Sequence, residues 1–168
     1  MTTAIMTTEH FGDISLAEDK CAIISVRFVP PTLPSARKMK GDCDMAAIDL
    51  LKEAISQLTA YFEKRLQNFD LPIRYIAPSV FQRKVWNTTR GIPYGETRTY
   101  REVAGEIGNV GAVRATGRVL NKNPVALLIP CHRVVTASGE LGGYAYGIGV
   151  KEALLKLEGV VLENLDKR

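Results

Sequence analysis

The chain has 168 residues, 46% of them hydrophobic, and a formal net charge of +4 at pH 7. That length allows one or two compact domains with a sizeable core, and the composition excludes a disordered chain. No apolar run is long enough to span a bilayer and Met1 to His10 lacks the order of a signal peptide, so a cytoplasmic protein with no membrane association is expected.

Three cysteines, at 21, 43 and 131, leave one unpaired in any disulfide scheme, and no C-x-x-C pattern occurs. With His10 and His132 as the two histidines, neither a protein-held metal nor a cofactor is expected. The charge is uneven. Residues 1–76 carry nine basic and ten acidic side chains, whereas 77–168 carry 13 and eight. The positive excess of the second half suits a polyanion, although a modest basic bias also describes an ordinary solvated face.

In chain order, residues 2–28 read as two or three antiparallel strands, Thr2 to His10, Ile14 to Ala17 and Cys21 to Phe28. Turns are expected at Phe11-Gly12-Asp13 and Glu18-Asp19-Lys20. Pro30 to Pro34 and the polar Ser35 to Asp42 form a mobile loop. Met45 to Phe62 has helical spacing, with Ile48, Leu51, Ile55, Leu58 and Phe62 on one side. Phe69 to Ala77 is an extended connector because Pro72 and Pro78 disfavour helix, and a domain boundary is placed near residue 77.

Ser79 then caps a helix containing Val80, Phe81, Val85, Trp86 and Thr89, stopped by Gly91-Ile92-Pro93. Thr99 and Glu102 have capping-box spacing, and the helix they open runs to Ile107. Gly108-Asn109-Val110-Gly111 turns the chain into a second helix, Ala112 to Asn121. Helix, short turn, helix is the helix-turn-helix arrangement. Arg114 and Arg118 share a face of that second helix, and the small Ala115 and Gly117 leave room for a phosphate backbone, or for another helix.

Val125 to Ile129 reads as a short buried strand, and Val134-Val135 resumes its apolar character. Between them stand Pro130-Cys131-His132-Arg133: a soft nucleophile, a proton acceptor and a cation where burial is expected. Cysteine as core filler with a polar strand-end cap is the plain alternative. In a regular strand Cys131 and His132 would point to opposite faces, so a reactive pair requires a turn, which Pro130 can start, or a bridging water. Gly139 to Gly149 is a glycine-rich loop with aromatics, and Val150 to Glu158 a final helix. Glu158 in its last turn opposes the helix dipole by about 0.3 to 1 kcal/mol, which points to a cationic or imidazole partner, a solvated carboxylate being the alternative.

Taken together, Tyr94-Gly95-Glu96-Thr97-Arg98-Thr99-Tyr100, Arg114-Ala115, Asn123-Pro124, Ile129 to Val135, Gly142-Gly143-Tyr144 and Leu154 to Gly159 closely resemble the O6-alkylguanine-DNA alkyltransferases. The resemblance is continuous from about Val80 to Gly159 and weaker before it.

It implies an α/β ribonuclease-H-like domain over 1–77 and a mainly α winged helix-turn-helix domain over 78–168. The implied activity is single-turnover transfer of an alkyl group from O6-alkylguanine, or O4-alkylthymine, to Cys131 in a monomer acting on double-stranded DNA. The base is flipped out through the minor groove. His132 takes the thiol proton through a water and Glu158 supports His132. Tyr100 contacts the base and displaces its phosphate, Arg114 fills the vacated stack, and Asn123 is a hinge. Thr99, Ala115 and Arg118 join Arg114 and Tyr100 at the DNA, while Cys131, Val134, Tyr144 and Ala145 surround the base, the carbonyls of Cys131 and Val134 reading its amine.

Ala126 stands where some relatives have a proline pocket wall, which implies room for alkyl groups larger than methyl. Cys21 and Cys43 are read as filler. A non-reacting sensor of alkylated bases is the first alternative, opposed by Cys131 itself. A cysteine hydrolase is the second, opposed by the adjacency of Cys131 and His132 and by the lack of a marked oxyanion site.

Overall fold

In a computed structural model of the chain, residues 1–29 and 45–161 are described. The expected mobile loop and Cys43 lie outside them. The chain divides into two units, Met1–Ile76 with Pro124–Ala126, and Ala77–Asn123 with Leu127–Arg168.

The first unit is built on three antiparallel strands in sequence order: β1 (Thr2–Thr8), β2 (Gly12–Asp19) and β3 (Ala22–Phe28). The first turn falls at Glu9 to Phe11, earlier than expected, because Gly12 at φ +69° already starts β2 and the Thr8 hydroxyl donates to its carbonyl. The second turn is the pair Lys20-Cys21, both with positive φ, closing a two-residue hairpin that pairs Asp19 with Ala22. Its central residues are not the Asn or Gly that signal such a turn. Helix α1 (Met45–Phe62) packs on β1 and β2 and buries Leu51, Ala54, Leu58 and Tyr61. Leu51 and Leu58 were expected on that face.

The outer edge of β3 is covered by two short extended pieces. Ile23 pairs in parallel with Ile73 of the connector, and Val26 with Val125. The Val26 amide donates to the Pro124 carbonyl and the Ala126 amide to the Val26 carbonyl. An open edge with unpaired amides invites association, and this one is occupied.

In the second unit, α2 (Val80–Arg90), α3 (Tyr100–Glu106) and α4 (Val113–Leu120) pack together. Ser79 and Thr99 close complete capping boxes with Gln82 and Glu102. A 3-10 turn, Val110–Ala112, leads into α4, which therefore begins one residue later than read. The buried Trp86 donates its indole N–H to the Val119 carbonyl, joining α2 to α4. Beyond α4, β4 (Arg98–Thr99) and β5 (Val134–Val135) form a two-stranded parallel pair, and α5 (Ile148–Leu157) completes the unit.

The expected strand Val125 to Ile129 is fully buried but is not a strand. Leu127 takes a left-handed φ of +71°, which breaks the extension between the bridge at Val125 and Pro130.

Thr116, in the middle of α4, is fully buried and its hydroxyl has no hydrogen-bond partner among the described residues. Burying an unsatisfied hydroxyl costs about 1 to 3 kcal/mol. Thr116→Val should therefore raise the urea midpoint, with a gain of about 1 kcal/mol. An unchanged or lowered midpoint would show that the hydroxyl has a partner.

Candidate active site

Pro130 precedes a 3-10 turn formed by Cys131, His132 and Arg133, all three buried. The turn removes the strict alternation that a strand would impose on the pair. The side-chain amide of Asn123, at the end of α4, donates to the Ile129 carbonyl at 2.8 Å and lies 3.1 Å from the Cys131 sulfur. One amide nitrogen thus ties the helix to the loop that carries the thiol.

Burial pushes the Cys131 thiol up from its ordinary pKa. Hydrogen bonding from Asn123, the nearby Lys151 ammonium, a backbone hydrogen bond and the Tyr144 hydroxyl pull against it without overcoming it. The resting group is a thiol with donors in place to receive a thiolate.

Behind it, His132 Nε2 lies 2.9 Å from Glu158 Oε1. The Arg133 fork meets the same carboxylate, Nε to Oε2 and Nη2 to Oε1, both at 2.9 Å, and the Gly95 amide donates to Oε2 at 3.3 Å. Burial alone would raise the Glu158 pKa, but hydrogen bonds and charge from His132 and Arg133 outweigh it and bring it down to about 2. The His132 ring is pushed below its ordinary pKa, first by burial, then by the charges of Arg133 and Lys151, with Glu158 acting in the opposite direction. Its Nδ1 is buried and has no hydrogen-bond partner among the described residues.

Lys151 was missed by the sequence reading. Its ammonium donates to the carbonyls of Val134 and Leu141 and stands 5.9 Å from the centre of the Tyr100 ring. Burial lowers its pKa to about 8, while Cys131 opposes that shift. The signal was present in the spacing. Lys151 falls on the same helical face as the buried Leu154, Leu155 and Glu158, where a lysine has no place unless it is bonded.

A cavity of about 480 Å³ opens over the thiol, lined by Tyr100, Arg114, Gly117, Arg118, Cys131 and Tyr144 among others, with Ala145 at its edge. The Tyr100 hydroxyl donates to the Gly143 carbonyl at 3.3 Å. Burial, and then the proximity of Cys131, raise its pKa, so it stays a proton donor. Gly142, at φ +68°, permits this packing, since a Cβ there would lie 3.2 Å from Tyr100 Cε2 and 3.1 Å from Thr136 Cγ2. Gly117 faces the Tyr100 ring with ordinary spacing, so the packing partner of that glycine is an aromatic ring at the cavity wall.

Several expected roles fall elsewhere. Val134 is fully buried, does not line the cavity, and its carbonyl already accepts from Lys151. The Cys131 carbonyl accepts from the Val134 amide. Thr99 and Ala115 also lie outside the lining, the Thr99 hydroxyl being the cap of α3. Ala126, expected as a pocket wall, lies outside it too, its amide bonded to Val26, a bond that proline would remove. Cys21 is exposed rather than core filler. No group of three or more metal-binding side chains occurs among the described residues, and none of their helices is long and apolar enough to cross a membrane.

Two family models match the chain, the ribonuclease-like domain of 6-O-methylguanine DNA methyltransferase over residues 3–75 and its DNA-binding domain over 80–160. A methylated-DNA–protein-cysteine methyltransferase of Methanosarcina acetivorans is 52% identical over 151 residues, covering 88% of this chain and 92% of the relative. The crystal structure of the Mycobacterium tuberculosis O6-methylguanine methyltransferase superposes with a TM-score of 0.79 at 38% identity, covering 94% of this chain and 93% of that one. A structure of M. tuberculosis OGT in complex with DNA gives 0.80 at 36% identity, covering 97% and 98%.

Both ionisable partners bind protons more weakly in the folded protein than when unfolded, His132 below 6.5 and Glu158 at about 2 against 4.5. Their stabilisation is complete above pH 6.5, declines through His132 as the pH falls below it, and declines again through Glu158 between 4.5 and about 2. Urea unfolding followed by the fluorescence of Trp86 should show both declines. Glu158→Gln should abolish the lower one and destabilise at pH 7 by about 3 to 5 kcal/mol, because Arg133 is left buried without its counter-charge. A stability profile that is the same in the variant below pH 4.5 would contradict the Glu158 assignment.

Proposed function

Because the chain belongs to the O6-methylguanine-DNA methyltransferase family, we propose that it repairs DNA by direct reversal, moving the alkyl group of O6-alkylguanine onto its own Cys131 in a single turnover. One observation carries the assignment: the nucleophile that lines the cavity is a cysteine, flanked there by Arg114 and Arg118 of the helix-turn-helix. A sensor without chemistry has no use for that thiol. A cysteine hydrolase turns over through an acyl thioester that water cleaves, whereas an alkyl group moved to Cys131 forms a thioether that stays, so the two readings differ in turnover.

In this reading the N-terminal ribonuclease-H-like domain spans 1–77 and the winged helix-turn-helix domain 78–168, acting as a monomer in the cytoplasm. Arg114 and Arg118 contact double-stranded DNA, and Arg114 occupies the stack that the flipped base leaves. Tyr100, Tyr144 and Ala145 surround the base at Cys131, and the cavity volume of about 480 Å³ suits a nucleobase.

The transfer balances without a cofactor. His132 Nδ1 accepts the thiol proton through a bridging water, the sulfur electron pair forms a bond to the alkyl carbon, and the carbon–O6 bond breaks with its pair going to the guanine ring. The Tyr100 hydroxyl, held protonated by burial, hydrogen bonds the departing guanine anion, which takes one proton from solvent to become neutral guanine while His132 releases to solvent the one it accepted. The carbon–sulfur bond is not reversed, because a thioether sulfur in this site is a poor leaving group. O4-alkylthymine offers the same oxygen–carbon bond and is a second substrate.

Incubation with duplex DNA containing O6-methylguanine should add one methyl group to the peptide bearing Cys131, read by mass spectrometry, and none in Cys131→Ala. An unmodified wild-type protein would refute the assignment. Gly142→Ala should shift the Tyr100 ring by a few tenths of an ångström, on a backbone at φ +68° that alanine adopts only with strain, and slow single-turnover transfer severalfold. Wild-type speed in that variant would show that Gly142 does not position the ring.

A further inference from the structure

Arg133 is 4% exposed, carries no assigned role so far, and spends its whole guanidinium on one structure. Nε and Nη2 hold the two oxygens of Glu158, Nη1 donates to the Ile92 carbonyl at 2.6 Å, and the guanidinium carbon lies 5.8 Å from the centre of the Tyr94 ring. The Tyr94 hydroxyl in turn donates to the Leu157 carbonyl at 3.2 Å, at the end of α5. Lysine has neither the fork nor the reach to the carbonyl, so this is a site for arginine.

The consequence falls on His132. A carboxylate that accepts from Arg133 and Gly95 is an acceptor only, so the imidazole nitrogen 2.9 Å from it must carry a proton. The other nitrogen, Nδ1, is the one left without a hydrogen-bond partner among the described residues. We propose that Arg133 is a positioning residue of the transfer reaction: by holding Glu158 as an ionised acceptor it fixes the His132 proton on Nε2 and leaves the Nδ1 lone pair to take the proton of Cys131. Arg133 touches neither base nor thiol and acts through two intermediaries. This role rests on the alkyl-transfer reading of Cys131.

The guanidinium does a second thing. It places a fixed positive charge beside the ring, which disfavours a resting imidazolium that could accept nothing. The charged groups acting on His132 are Glu158 and Lys151 from α5 and its end and Arg133 from its own turn, with Tyr94 from the turn before β4 behind Arg133. Of the two cations, Arg133 is the one bonded to the carboxylate that His132 uses.

The test is a long-range ¹H–¹⁵N spectrum of His132, titrated in the free wild-type protein, Arg133→Lys and Arg133→Gln, with single-turnover transfer measured across the same pH range. Wild type should show a neutral ring with the proton on Nε2. In Arg133→Gln the ring should titrate at least about one unit higher, with the tautomers mixed, and transfer at the acid end should fall about tenfold as its pH limb moves by the same amount. Arg133→Lys keeps the charge without the fork and should titrate close to wild type with mixed tautomers. A wild-type ring protonated on Nδ1, or a titration and pH limb unmoved in both variants, would overturn the proposal. Should Arg133→Gln not fold, the wild-type tautomer and the Arg133→Lys spectrum decide it. The spectrum is independent of DNA, so failure of the alkyl-transfer reading shows separately, as an unmethylated Cys131 in wild type.

Discussion

A single buried carboxylate organises the reactive end of this protein. Glu158 sits where the α5 dipole repels it, and burial alone would protonate it. Four donors reverse that outcome: His132 Nε2, two nitrogens of Arg133, and the Gly95 amide. They come from two separate stretches of chain, so the carboxylate fastens the 92–95 turn and the Cys131–Arg133 turn to the end of α5. Removing it would leave a guanidinium buried without a counter-charge, which costs far more than the pair contributes when intact. The same bonds that hold the fold together there also decide which imidazole nitrogen is free.

The thiol is held by a second device at the other side of the turn. After Asn123 the chain leaves the second unit for three residues, Pro124 to Ala126, which pair along β3, and then returns. The return is made by Leu127 in a left-handed conformation that a leucine adopts at a cost of about 1 to 2 kcal/mol. The Asn123 amide closes the excursion by bonding the Ile129 carbonyl and the Cys131 sulfur. The strain is sustained because Leu127 itself is fully buried and Ala126 before it and Ile129 after it are hydrogen bonded.

Features with local causes were legible in the sequence. The Thr99–Glu102 capping box, the Ser79 cap, Leu51 and Leu58 on the buried face of α1 and the helix-turn-helix follow from spacing of three or four residues, and the structure has them, whereas Ile48, Ile55 and Phe62 are half-buried beside that face. The Glu158 puzzle was legible too: a carboxylate at a helix C-terminus implied a cation or imidazole, and both are there. What spacing could not give was the break at Leu127, because burial along Val125 to Ile129 produces the same apolar run whether the chain is extended or kinked. The bond from Lys151 to the Val134 carbonyl was not legible either, because it joins residues seventeen apart through tertiary packing. The second hairpin turn was expected at Glu18-Asp19-Lys20 rather than at Lys20-Cys21, since neither of the latter residues favours positive φ. Tertiary pairing of β2 with β3 imposes it.

The electrostatics of the site argue against a resting anion at Cys131. Burial dominates the Cys131 pKa and raises it, so the closed site disfavours the charge it is built to use. The compensating groups, the Asn123 amide, the Lys151 ammonium and the Tyr144 hydroxyl, are donors whose worth grows with the charge on sulfur. They stabilise a thiolate more than a thiol and gain little at rest. His132 follows the same rule from the opposite side: neutral at rest through burial and the Arg133 and Lys151 charges, it has a carboxylate already ionised to receive the imidazolium when it forms. A thiol that is unreactive in solvent and becomes nucleophilic only as its proton moves is suited to a nucleophile that can be spent once, since a permanent thiolate would be consumed by any electrophile that reached it.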